Sequence, residues 1–169
     1  MHIRQEHSPG NPLDNPLLLV LSGGFLAAAL DIAFACVYWA LSSDVPPLRI
    51  LQSVAAGALG EASFEGGPFS ASLGLLLHFL IVFVMAFVYY AAALRLAPLR
   101  ENAWLFGGAY GLLLYAVMNY VVVPLSRAGT GPKDSLWITL GVLVHVLLIG
   151  IPIALFANRA ARRRLAASG

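Results

Sequence analysis

Ser72-Leu73-Gly74-Leu75-Leu76-Leu77-His78-Phe79-Leu80-Ile81 returns 67 residues later as Thr139-Leu140-Gly141-Val142-Leu143-Val144-His145-Val146-Leu147-Leu148. Leucine matches come cheaply in so apolar a chain, but a Gly and a His four residues apart, behind a hydroxyl residue at the same offset, do not. The pair reads as an internal repeat. Each copy lies inside an apolar run long enough to cross a bilayer, so each sets an ionisable imidazole at membrane depth, a placement that points to function.

Outward from this pair, composition sets the class. Of 169 residues, 60% are hydrophobic and 11% charged, far from the balance of a water-soluble domain. The expected partner is the lipid bilayer. A net charge of +2, with the basic residues at the ends of apolar runs, gives no footprint for nucleic acid. The single Cys36 excludes an intramolecular disulfide, and its burial in an apolar run reads as packing.

Four runs are long enough to span, near residues 17–41, 69–95, 104–126 and 136–158. They are continuously apolar without alternation, which reads as helix, the form that satisfies its own backbone in lipid. Residues 1–16 read as a flexible tail, and residues 159–169 as a basic one. Arg4, Arg95, Arg100, Arg159, Arg162, Arg163 and Arg164 fall on one side, against Arg49, Arg127 and Lys133 on the other, which predicts both termini in the cytoplasm. The terminal arginines then anchor topology, with contact to anionic lipid as a second role.

Between the first two spans, residues 48–64 follow Pro46-Pro47, a good helix start. The stretch is too short and glycine-rich to cross. It predicts a short amphipathic helix on the outer leaflet or a re-entrant one buried against protein. It also reconciles the repeat. Gly23-Gly24 recurs as Gly107-Gly108 at an offset of 84, and the 17-residue excess over the histidine offset is about the length of this stretch. The expected fold is all-α: a four-transmembrane-helix bundle from two tandem hairpins, related by a pseudo-two-fold axis along the membrane normal.

Counting at 1.5 Å per residue places Asp31, His78, Asn119 and His145 roughly 10 to 15 Å below the outer face, one on each span. Their helical stripes carry small residues, including Gly107-x-x-x-Gly111, which predicts that they point inward. Asp31 at such depth is expected to be protonated or paired with an imidazolium, and the group could exchange protons near neutral pH. Tyr115 shares the stripe of Asn119. Gln52 and Glu61 read as solvated on the outer segment, with Glu61 as a potential cap on the layer. Pro124 and Pro152 are expected to bend their helices.

Three functions fit. The first is a small transporter or proton- or ion-linked membrane protein using this layer. The second is a protein in which His78 and His145 ligate haem b or a metal ion. The third is an accessory subunit of a homo-oligomer or larger membrane complex, in which polar side chains act as hydrogen-bonding glue worth only about 0.6 kcal/mol each. No serine nucleophile elbow, phosphate loop or HExxH supports an enzyme.

Gly23-Gly24 with Asp31, the Pro46-Pro47 segment through Ile50-Leu51-Gln52-Ser53 to Gly60, Gly74 with His78, Tyr89-Tyr90, Tyr110-Gly111 with Met118-Asn119, and Pro124-Leu125-Ser126 together resemble a family of small, uncharacterised bacterial inner-membrane proteins with four predicted spans. The resemblance covers most of residues 20–155. It implies a bacterial inner-membrane location and transfers no catalytic or binding residue.

Overall fold

A computed structural model of the chain describes residues 15–129 and 134–168. The described residues are helical throughout, without strands. Four helices are long and apolar enough to cross a membrane: α1 (Pro16–Ser43), α3 (Gly67–Arg95), α5 (Ala103–Leu125) and α6 (Ser135–Ala166). A short α2 (Pro47–Leu59) joins α1 to α3, and a five-residue α4 (Ala97–Glu101) joins α3 to α5. The tail expected over residues 1–16 lies, up to residue 14, outside the described residues. At the other terminus the basic segment continues α6 as far as Ala166, eight residues past the boundary expected at residue 158.

Local chemistry sets the ends. Asn15 caps α1 by accepting from Leu17 N–H at 2.9 Å, and Pro16 fills the first turn, where a missing N–H costs nothing. Asp44 closes α1 in the left-handed conformation, φ 53°, a region that short polar side chains tolerate. Asp134 caps α6 by accepting from Trp137 N–H at 2.8 Å and also accepts from the Tyr38 hydroxyl at 3.1 Å, which ties α1 to the start of α6.

The bundle is packed small side in and large side out. Ala27, Ala28, Ala86, Ala93, Ala154, Ala157, Ala160 and Ala161 are buried, whereas Phe25, Leu76, Leu80, Val84, Leu112, Leu113 and Leu147 are exposed. In water such an apolar exterior would be an aggregation surface. In lipid it is ordinary solvation, and close helix approach through small residues is the usual packing mode. The chain is an integral, multi-pass membrane protein in contact with the bilayer.

α6 is the hub, touching α1, α3 and α5, while α1 also packs on α3. α3 and α5 do not pack directly along their length. They are bridged low in the bundle, where the Tyr110 hydroxyl donates to Met85 O at 2.8 Å and the Tyr89 and Tyr110 rings meet edge-on at 5.1 Å. Toward the α2 end the two helices stand apart. α2 closes that end, with Gly57 O accepting from Arg127 N–H at 3.0 Å beyond the end of α5.

α2 has 13 residues, about 20 Å, too short to span. It lies backbone to backbone against α3: a Cβ on Gly74 would sit 1.9 Å from Leu51 O. Gln52, expected to be solvated, is instead buried at 1% exposure and donates to Gly67 O and Ser70 Oγ, each at 3.2 Å. Amphipathic patterning made it a plausible outer-face residue. What reverses this is Gly74, which draws α2 so close to α3 that the face bearing Gln52, Ala55 and Ala56 becomes interior. Gln52→Ala is therefore expected to lower stability in detergent by about 1 to 3 kcal/mol, the cost of deserting buried polar partners. An unchanged thermal unfolding midpoint would show that these two bonds carry nothing.

Candidate functional site

Two of the polar residues, Asn119 and His145, sit at wide helical turns. α5 opens into a π-helical turn over Met118–Val122 and α6 into another over His145–Gly150. In each case a proline follows the wide turn by two residues, Pro124 and Pro152. A proline removes one N–H and collides with the carbonyl four residues back, and a π-turn is one way to absorb this. The bends expected from the prolines thus take the form of wide turns at Asn119 and His145. At each wide turn a side chain adds a bond to a carbonyl of its own helix. Asn119 Nδ2 donates to Tyr115 O at 2.9 Å, and His145 Nδ1 lies 2.9 Å from Gly141 O.

His78 reaches across to α1, its Nε2 3.0 Å from Ala28 O and 3.8 Å from Asp31 Oδ2. A carbonyl only accepts, so the hydrogen belongs on Nε2 of His78 and on Nδ1 of His145. The remaining nitrogens, Nδ1 of His78 and Nε2 of His145, are then basic when the rings are neutral. Both imidazoles are within coulombic reach of the Asp31 carboxylate. That carboxylate makes no side-chain hydrogen bond among the described residues, although its side chain is only 22% exposed.

Asp31 borders three cavities. The largest, 460 Å³, occupies the gap between α3 and α5 and is lined by Asp31, His78 and His145 together with Ser53, Met85 and Met118. Another, 440 Å³, runs from Asp31 and His78 toward Trp39, Arg49 and Trp137 at the α2 end. A third, 200 Å³, lies between Asp31, His145, Tyr115 and Asn119. Asp31 is thus the shared wall of all three, and each histidine is the shared wall of two.

The structure brings Asp31, His78 and His145 together and stands the Tyr115 ring edge-on against His145, centroids 5.3 Å apart. Asn119 lines the smallest cavity, but is exposed and bonded to its own helix. Gln52 belongs to the α2–α3 contact and lines none of these cavities. Glu61, expected as a potential cap, sits exposed in the turn Gly60–Phe64, away from the same cavities. No protein-family model, curated protein or solved structure matches this chain.

Arg49, Ser53 and Trp137 also line the cavities around Asp31 without having been singled out by sequence. Arg49 is held over the Phe64 ring at 5.4 Å and donates to Phe64 O, which fixes a cation at the α2 end of that cavity. The only advance signal was that Arg49 and Ser53 share the segment after Pro46-Pro47. Trp137 lies near the start of α6. It packs inward against Phe34, Tyr38 and Trp39.

The donor set can be tested for a metal. Among the described residues no three His, Cys, Asp or Glu side chains are grouped to hold one. For haem b, axial ligation through Nε2 of both histidines would require His78 to give up its bond to Ala28 O. The residues present do not fit that arrangement.

Proposed function

We propose that the protein moves protons, alone or coupled to a small solute, across a membrane, with Asp31 as the carrier and His78 and His145 as its exchange partners. One observation carries this reading: a carboxylate without a hydrogen bond stands where three cavities meet, flanked by two imidazoles. A hard cation such as Ca²⁺ asks for six or more oxygen ligands. One carboxylate among ring nitrogens suits a proton far better, and imidazole titrates in the physiological range. Arg49 sets a fixed positive charge at the α2 end of one of the cavities that Asp31 borders.

The repeat gives this reading a structural logic. The offset of 84 that relates Gly23 to Gly107 also relates Asp31 to Tyr115, and the two residues face His78 and His145 in turn. A perfect two-fold would match the α1–α6 contact with one between α5 and α3. α1 and α6 pack closely, with Gly23 against Phe156, whereas α5 and α3 stand apart. The 460 Å³ cavity is the space left by that departure from symmetry. By the arginine distribution the α2 end faces outward and both termini lie in the cytoplasm, and the family resemblance favours a bacterial inner membrane.

Proteoliposomes loaded with a pH-sensitive dye test the reading. Wild-type protein is expected to dissipate an imposed pH gradient. The His78→Ala, His145→Ala double variant should do so about a hundredfold more slowly, within the range of lost general acid–base groups. Wild-type vesicles as tight as empty ones would end the proposal. A double variant as fast as wild type would remove both histidines from the pathway.

A further inference from the structure

We propose that the pocket between α4, the start of α5 and the end of α6 binds the phosphodiester of an anionic phospholipid. This site lies at the opposite end of the bundle from α2 and does not depend on the proton-transfer reading. The pocket has a volume of 480 Å³, and its wall includes Arg100, Arg159, Arg162, Glu101 and Trp104. Arg100 donates to Ala93 O and Arg162 donates to Arg100 O. Both bonds end on backbone carbonyls, so they orient the guanidinium groups without neutralising them.

No described carboxylate forms a salt bridge with Arg100, Arg159 or Arg162. The Arg159 side chain is exposed and makes no bond among the described residues. Four arginines, Arg100, Arg159, Arg162 and Arg163, line the pocket with a single acid, Glu101, and the pocket carries excess positive charge. The planar N–H fork of arginine matches phosphate oxygens two at a time.

Two further features favour a lipid over a free anion. Trp104 is 67% exposed beside the pocket at the end of a span, the level at which indole sits among headgroups. Leu155, 40% exposed, continues the wall toward the hydrocarbon and gives the glycerol and first acyl carbons an apolar seat. The N-terminus of α5 opens into the same pocket at Asn102 and Ala103, adding its positive dipole end.

Quenching of Trp104 fluorescence by brominated lipids, added to the full-length protein in detergent, tests the site. Trp39 and Trp137 lie together at the other end of the bundle, so the Trp104→Phe variant isolates the relevant signal. Brominated phosphatidylglycerol should quench at a concentration at least about tenfold lower than brominated phosphatidylcholine. Arg159→Ala, which breaks no bond, and Arg162→Gln, which retains a donor for Arg100 O, should each reduce that preference about fivefold. Equal quenching by the two lipids in the wild type, or a preference unaltered in both variants, would overturn the assignment. Sodium phosphate is the other arm: displacement of the brominated lipid at low millimolar phosphate, beyond a sodium chloride control of equal ionic strength, would assign the site to free phosphate and reject the lipid.

Discussion

Asp31→Asn is expected to bring proton flux in proteoliposomes down to that of empty vesicles while leaving the protein folded and as stable as before, or more so. Asparagine has the volume of aspartate and keeps a carbonyl oxygen facing the cavities, so local packing is undisturbed. What it cannot do is take up a proton. If Asp31 is the carrier, no neighbour replaces it, because the described residues place no second carboxylate on the walls of its three cavities.

The stability half of this expectation has the opposite sign from that of a structural role. A charged side chain at membrane depth costs about 2.5 to 3.5 kcal/mol even on lenient insertion scales. Asp31 recovers little of that, since its carboxylate makes no hydrogen bond and lies 3.8 Å from the nearest imidazole nitrogen. Neutralising it should therefore hold or raise the thermal midpoint in detergent. A residue retained as hydrogen-bonding glue would lose stability and leave flux intact, and that outcome would remove Asp31 from the mechanism.

The sequence made the polar layer legible because helix counting needs only span ends and a rise per residue. Asp31, His78 and His145 were placed at one height by that count, and hydropathy supplied the four helices. Four features were invisible for identifiable reasons. Gln52 is polar, and amphipathic patterning assigns a polar residue to the solvated face. Only the approach permitted by Gly74 decides the matter. Asn119 was counted to the right depth, but the wide turn around it lets its side chain bond to Tyr115 O and leaves the residue exposed. The proline two residues after each wide turn was visible. That a proline widens a helix here, where elsewhere it kinks or ends one, depends on the neighbouring helix. The splay of α3 from α5 is likewise a departure from the symmetry the repeat suggests, so the pattern that exposed the repeat could not announce it.

Gly111→Ala is expected to be strongly destabilising, whereas Gly108→Ala, three residues earlier on the same helix, should be nearly silent. A Cβ on Gly111 would lie 2.2 Å from His145 O and 2.7 Å from the Val146 Cα. Both obstacles are backbone, so no rotamer change relieves them, and the α5 and α6 axes must separate. Gly150 is locked into the same contact from the other side, its own Cβ position falling 2.2 Å from Gly107 O. At Gly108 the nearest obstacle is Val146 Cγ1 at 3.7 Å, ordinary contact distance. Overpacking costs about 1 to 3 kcal/mol where side chains can yield, so an unyielding backbone clash should exceed about 3 kcal/mol. The effect reaches the site as well, because the carbonyl that meets Gly111 belongs to His145. Pushing α6 away withdraws that imidazole from the cavity wall it shares with Asp31, and residual folded protein should show slowed proton flux. Thermal unfolding of the two variants side by side decides the point. Equal midpoints would mean that α5 and α6 are not in backbone contact at Gly111, and that something other than this glycine sets the position of His145.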